Sequence, residues 1–424
     1  MSILLFILLL VLFIINVPIA VALGLSTVII VFLTGSIELS TLPHRMFTTL
    51  DSFPLLAAPF FILAGKIMEH GGISDKIVEF ASSLVGHFRG GLAHVSIVAC
   101  MFFAALSGSA VATTAAVGAL MIPSMVKVGY SREFSASVQA AGGTTGVIIP
   151  PSVPMVMFAV SAGVSVSDLF IAGIIPGIFV GVSLMVWVYI YSLKNNIKSD
   201  EKFEFKRTVR NGLSSFLAIL MPLIILGGIY SGIFTPTEAS VIAVVYGFVI
   251  GKFVYKKITS AIMKKILLDT VVVVSTLSVI IASASFFGFY ITIERLPHEI
   301  ASIISEFNLH PFVVMLVVII FLLIVGMFID EISAIIILTP ILLPIVTAVG
   351  IDPVHFGVLM IINLAIGLLT PPVGLSLFVA SKVGNVLPEK MIRPVLPFIL
   401  IMVLDVVLLY LLPQLSVGVV KFFS

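Results

Sequence analysis

GGTTGVIIPPSVPMVMF, from Gly142 to Phe158, and NLAIGLLTPPVGLSLF, from Asn363 to Phe378, decide the fold of this 424-residue chain. Each carries a proline pair where an apolar span should be continuous. Aligning Pro150–Pro151 with Pro371–Pro372 sets Gly146 against Gly367. Proline lacks the amide hydrogen that a helix needs, and its ring clashes with the preceding turn, so each pair breaks its helix. A bilayer tolerates non-helical backbone only where protein buries it or a watery cavity borders it. Two matching breaks in two halves of a membrane protein point to the binding site of a secondary transporter.

Composition settles the solvent. The chain is 60% apolar and 10% charged, against roughly 25% charge in soluble domains. Apolar runs long enough to span a bilayer recur from end to end, without the two-residue alternation of a barrel. A net charge of +2 and the lack of a basic tract interleaved with aromatics leave no footprint for nucleic acid. The single cysteine, Cys100, excludes an intramolecular disulfide framework and a cysteine-rich metal site. The first residues are apolar, with no basic stretch or small-residue cleavage motif, and read as a first membrane helix, not a cleaved signal.

The two halves align at an offset near 218. Pro18 matches Pro236 and Asp51 matches Asp269 at 218, Pro123 matches Pro340 at 217, and Pro150 matches Pro371 at 221. Each half then has one plan. Three helices come first, at about 3–17, 19–36 and 50–69, then at 212–231, 237–255 and 266–292. A short amphipathic segment follows, from Ile73 and from Leu296. A hairpin-length apolar stretch is next, at about 92–126 and 311–349. A broken helix, at about 134–160 and 356–380, and a closing helix, at about 168–192 and 394–413, complete the unit. The first repeat is expected to cover 1–193 and the second 212–424, with 194–211 as a basic, solvated cytoplasmic linker.

Charge orients the plan. Lys194, Lys198, Lys202, Lys206, Arg207 and Arg210 in the linker, and five lysines over 252–265, fall on the cytoplasmic side under the positive-inside rule. Counting outward puts both ends of 92–126 inside and both ends of 311–349 outside, with His44 and Arg45 a mild violation. Each stretch is therefore a re-entrant hairpin, and the two enter from opposite faces. The expected fold is an all-α polytopic membrane protein of two inverted-topology repeats, each with a re-entrant helical hairpin and a broken transmembrane helix.

Within that frame, ALSGSAVATTAAVGAL carries Ser107, Gly108, Ser109, Thr113 and Thr114 at the first hairpin's centre. Small hydroxylated residues serve helix packing in membranes, but their place opposite a broken helix favours a ligand site. Unwinding over Gly142, Gly143, Thr144, Thr145, Gly146, Val147, Ile149, Pro150 and Pro151 would free carbonyl oxygens, which suit a hard cation such as sodium. The half-helix start beyond it, near Ser152, presents amide donors to an anion. In the second hairpin, GMFIDEISAIIILTP puts Asp330 and Glu331 inside an apolar stretch, where ionisable groups face a cavity or a partner. The hairpin offset aligns Asp330 with Thr113 at a tip. Thr235, Pro236 and Glu238 read as a capping box, and Asp51 and Asp269 as caps at helix starts.

SGSAVATTAAVGALMIP, GGTTGVIIPPS, GIYSGIFTPTEAS, GMFIDEISAIIILTPILLPI and GLLTPPVGLSLF together resemble the large membrane subunit of tripartite ATP-independent periplasmic transporters, over essentially the whole chain. The resemblance implies a multi-pass protein of the bacterial inner membrane, not an enzyme, that imports an organic acid by an elevator movement driven by sodium ions, with no other cofactor. Sialic acid is the first candidate and a C4-dicarboxylate the second. It implies two protein partners, a small four-helix membrane subunit and a periplasmic substrate-binding protein. Carried over by residue, it implies one sodium site at Ser107, Gly108, Ser109, Gly142, Thr145, Gly146, Ile149 and Pro150. A second lies at Gly326, Asp330, Asn363, Gly367, Thr370 and Pro371. Substrate contacts are expected between the tips, from Thr113, Thr144, Pro151, Ser152, Asp330, Ser333 and Pro372. The family's Asp is commonly followed by Pro or a small residue, whereas Glu331 follows here, which changes the charge of the site. A sodium/dicarboxylate symporter that works alone is the alternative, and a subunit of a sodium-pumping decarboxylase a distant one.

Overall fold

The computed structural model describes residues 2–35, 37, 38, 40–197, 203–296, 299, 302 and 309–423, and among these the only regular structure is helical. The two hairpins are Gly91–Ser107 with Ala110–Lys127, and Pro311–Gly326 with Glu331–Ala348. Their arms have 16 to 18 residues, roughly 24–27 Å at 1.5 Å per residue, at the short end of what a membrane span needs. The broken helices are Arg132–Ile148 with Val153–Ala162, bent by 42°, and Pro353–Gly367 with Leu375–Gly384. Both Pro-Pro bonds are cis.

The repeat is tighter here than its sequence offset suggested. Ala110–Lys127 and Glu331–Ala348 each have 18 residues. Their N-caps are Ser109 and Asp330, and Gly129 and Gly350 follow them with φ of 100° and 84°. Ser131 and Asp352 then cap the broken helices. One offset of 221 runs from these tips to the proline pairs. Two expectations are corrected: Asp330 matches Ser109, not Thr113, and Pro123 matches Pro344, not Pro340. Asp51 and Asp269 do not start helices either, since Asp51 closes Thr41–Leu50 and Asp269 lies inside Ser260–Ile293.

Packing divides the helices into a frame and a central unit. In the frame, Ala57–His70 lies along Pro236–Val249, and Ile19–Thr34 and Thr41–Leu50 lie along Ser260–Ile293. The central unit holds the hairpins, the broken helices and the closing helices Val166–Lys194 and Pro388–Leu411. Its halves are exchanged. Leu375–Gly384 packs against the first hairpin and Arg132–Ile148, while Val153–Ala162 packs against Glu331–Ala348. Each proline break thus sends the second half of its helix onto the other repeat's hairpin. The closing helices are joined by the Ser183 hydroxyl, which donates to the buried Asp405 carboxylate.

Two further elements depart from expectation. Arg45, on the helix Thr41–Leu50, stacks 3.9 Å from the Phe289 ring centroid, a cation–π contact. The linker is not a solvated loop throughout: Phe205–Ser214 is a helix docked on Ile73–Val85. Thr208 donates to the Ser83 carbonyl at 3.0 Å, Asn211 to that of Glu79 at 3.2 Å, and Ser215 to that of Lys76 at 2.7 Å. Its apolar residues Phe205, Val209 and Leu213 recur every fourth position, which makes one face of a helix. The amphipathic segment expected from Leu296 lies outside the described residues except at Leu296, Glu299 and Ser302. The Thr235–Glu238 capping box is present, with both reciprocal bonds formed.

Candidate functional site

At the first tip, chain reversal occurs over Gly108 and Ser109. The Ser107 and Thr113 hydroxyls lie 2.8 Å apart, and Thr113 donates to the Ser109 carbonyl at 2.8 Å. The Ser109 hydroxyl caps the second arm by accepting from the Ala112 amide. Gly146 presses on this tip: a Cβ built there would lie 2.5 Å from the Ser109 carbonyl oxygen and 2.6 Å from the Thr113 hydroxyl. The hairpin is also stapled to the broken helix at its core. Gln139 accepts from Ser96 at 2.6 Å and donates to the Cys100 sulfur at 3.1 Å and the Thr113 carbonyl at 3.4 Å.

The second tip repeats the arrangement with different residues. The Asp330 carboxylate accepts from the Ser333 amide at 2.9 Å, the cap that Ser109 supplies in the first half. Gly367 faces Gly326, and a Cβ on Gly367 would collide with the Gly326 carbonyl. At each break the backbone turns back to its own hairpin: Val153, just past the first break, donates to the Gly108 carbonyl at 3.5 Å, and Val373, within the second, to that of Met327 at 3.3 Å. Asn363 donates to the Ile319 carbonyl at 3.0 Å, while its side-chain oxygen is buried without a hydrogen-bond partner.

The breaks are narrower than expected in the first half and shifted in the second. Arg132–Ile148 stays helical through Gly142–Ile148, and only 149–152 is unwound. The Thr144 and Thr145 hydroxyls fold back and donate to the Ala141 and Gly142 carbonyls at 2.6 and 2.7 Å, so that both buried hydroxyls are satisfied within the helix. The Ser152 hydroxyl takes the Val147 carbonyl at 2.6 Å. In the second half, 368–374 is unwound, with Gly374 at φ 35° where a side chain would be strained.

A cavity of about 360 Å³ opens between the tips. Ser107, Gly108 and Ser109 line it from one side, and Glu331 and Ile332 from the other. Of the expected substrate residues, Thr113, Thr144, Pro151, Ser152 and Ser333 are buried, Asp330 is half-buried and Pro372 is exposed, and none is on the cavity wall. Two wall residues were missed by the sequence reading. Lys66 and Glu69 stand on the frame helix Ala57–His70, which reaches the first tip because Gly65 has no side chain to keep the Ser107 carbonyl away. The signal was available: a lysine and a glutamate within FFILAGKIMEH are charges inside an apolar span.

Comparison with known proteins agrees with this architecture. Residues 6–415 match the family model described as "Tripartite ATP-independent periplasmic transporter, DctM component". The isethionate TRAP transporter permease protein DctMQ of Oleidesulfovibrio alaskensis is 43% identical over 390 residues, 92% of this chain, which spans 61% of that longer relative. The C4-dicarboxylate TRAP transporter large permease protein DctM of Pseudomonas aeruginosa is 42% identical over 397 residues, 94% of this chain and 93% of the relative. Among solved structures, the YdaH transporter of Alcanivorax borkumensis superposes with a TM-score of 0.64 over 88% of both chains at 16% identity, a likeness of fold alone. The chain is accordingly a permease rather than an enzyme, a multi-pass protein of the bacterial inner membrane that belongs to the DctM family of tripartite ATP-independent periplasmic transporters.

Proposed function

We propose that this chain imports an organic acid across the inner membrane, coupled to the inward flow of sodium, as the transport subunit of a binding-protein-dependent system. The observation that carries the reading is the symmetric pair of tip contacts, Gly146 under the Ser109 carbonyl and Gly367 under that of Gly326, the first beside the cavity that Ser109 lines. Each contact brings backbone oxygens and hydroxyls together without side-chain bulk, the hard-oxygen surroundings that sodium takes. One ion would sit by Ser107, Ser109 and the Gly142–Pro150 segment. The other would sit by Gly326, Asp330, Asn363 and the Gly367–Pro371 segment, where the unpartnered Asn363 oxygen is a ready ligand.

The central unit would carry the cavity across the membrane past the frame, an elevator movement consistent with halves interlocked by their exchanged helices. A small membrane subunit would complete the frame and a periplasmic binding protein would deliver the acid. In support, the Oleidesulfovibrio relative, named DctMQ, extends well beyond the length this chain covers. The two relatives' names concern a sulfonate and dicarboxylates, both organic anions, and sialic acid belongs to the same broad class.

Asp330→Asn tests the second ion site cleanly, because asparagine caps a helix as well as aspartate while removing the charge. The sodium concentration for half-maximal uptake should rise roughly tenfold, the factor attached to one charge-assisted contact, with the thermal midpoint unchanged. An unaltered sodium dependence would assign Asp330 to capping alone.

A further inference from the structure

We propose that Lys66 and Glu331 set the chemical class of the transported acid: one with a single anionic group that also carries a hydroxyl or an ammonium, in preference to a dicarboxylate. The inference rests on the cavity between the tips being the acid's site, as proposed above. Much of the cavity wall is apolar, with Ile62, Val111, Val153 and Val273 among its residues. Among the described residues Lys66 is the single basic side chain lining it, and the carboxylates there belong to Glu69 and Glu331. Lys66 forms no ion pair among the described residues. Its backbone is fixed beside the first tip, since a Cβ on the neighbouring Gly65 would lie 2.8 Å from the Ser107 carbonyl oxygen. Glu331 reaches the cavity from the opposite tip, directly after the Asp330 cap.

An ammonium offers donors only, and an ionised carboxylate accepts only. One acid group on the substrate therefore complements Lys66. A second acid group would meet Glu69 or Glu331 across a weakly polar wall, where like charges repel more strongly than in water. A hydroxyl or ammonium in that place would instead donate to Glu331. The residue after Asp330 thus becomes a selector: a carboxylate here favours donors, and a neutral side chain would relax the discrimination.

A four-carbon series isolates these groups: butyrate, 3-hydroxybutyrate, 4-aminobutyrate and succinate. The readout is the thermal unfolding midpoint of the chain, with its small subunit, in lipid nanodiscs in sodium buffer, titrated with each acid. We expect 3-hydroxybutyrate and 4-aminobutyrate to stabilise at lower concentration than butyrate or succinate. Lys66→Gln should raise their half-saturating concentrations at least roughly tenfold, the factor lost with a charge-assisted hydrogen bond. Lys66→Arg should largely preserve binding and so controls for folding. Glu331→Gln should lessen the disadvantage of succinate, Glu69 remaining on the wall. The inference is overturned if succinate binds tightest to the unaltered chain, or if Lys66→Gln binds all four acids as before. If none of the four stabilises the chain, it is the reading of this cavity as an acid site that fails.

Discussion

Gly146→Leu and Gly367→Leu are each expected to abolish sodium-driven uptake while leaving the amount of protein in the membrane unchanged. The reason is local and steric. At Gly146 the first added carbon already lies 2.5 Å from the Ser109 carbonyl oxygen, and at Gly367 it meets the Gly326 carbonyl. Neither obstacle is a flexible side-chain end that can swing away, since both are tip backbone. Ser109 is moreover tied by the Thr113 hydroxyl and amide. The tip must therefore move off the broken helix, separating the two sets of oxygens that would share an ion. Helices on either side keep their apolar surfaces, so insertion should proceed. Uptake with normal sodium dependence in both variants would remove the tip contacts from any role in coupling.

Locking the central unit to the frame should stop transport equally completely, and reversibly. Gly288, on the frame helix Ser260–Ile293, lies against Pro340 in the second hairpin, with a built Cβ 3.3 Å from the Pro340 Cβ. Disulfides hold their Cβ atoms at about 3.5–4.5 Å, so Gly288→Cys with Pro340→Cys can bridge with little adjustment once Cys100 is replaced by alanine. Oxidation of the double variant should eliminate uptake and a thiol reductant should restore it, with each single variant unaffected by either reagent. Full uptake by the cross-linked protein would mean that the hairpin and the frame do not slide past one another.

Much of this architecture was legible because proline acts locally. The Pro-Pro pairs dictate where the helices stop. What was not legible depends on tertiary partners. Pro340 and Pro344 sit four residues apart in similar surroundings, and only the helix cap at Asp330 decides which of them matches Pro123. Ser109 and Asp330 look unrelated as letters yet do the same capping work. Thr144 and Thr145 read as polar residues of an unwound segment, but their hydroxyls find partners within the helix, on the Ala141 and Gly142 carbonyls. The exchange of half-helices between repeats leaves no trace in either repeat alone. Lys66 and Glu69 lie in a stretch that otherwise reads as a plain membrane helix, although charge inside an apolar run is the signal for a cavity. The basic residues of Phe205–Ser214 read as a solvated loop, whereas the i, i+4 spacing of Phe205, Val209 and Leu213 is that of a helix.

The decisive measurement is the initial rate of acid uptake into proteoliposomes holding this chain and its small subunit, with the loaded binding protein added outside. Inward, balanced and absent sodium gradients would be compared with and without the binding protein. Accumulation should require both the inward gradient and the binding protein, and the chain reconstituted alone should accumulate nothing. Full saturable uptake by the chain alone, or a rate indifferent to the sodium gradient, would be incompatible with sodium-coupled, binding-protein-dependent transport.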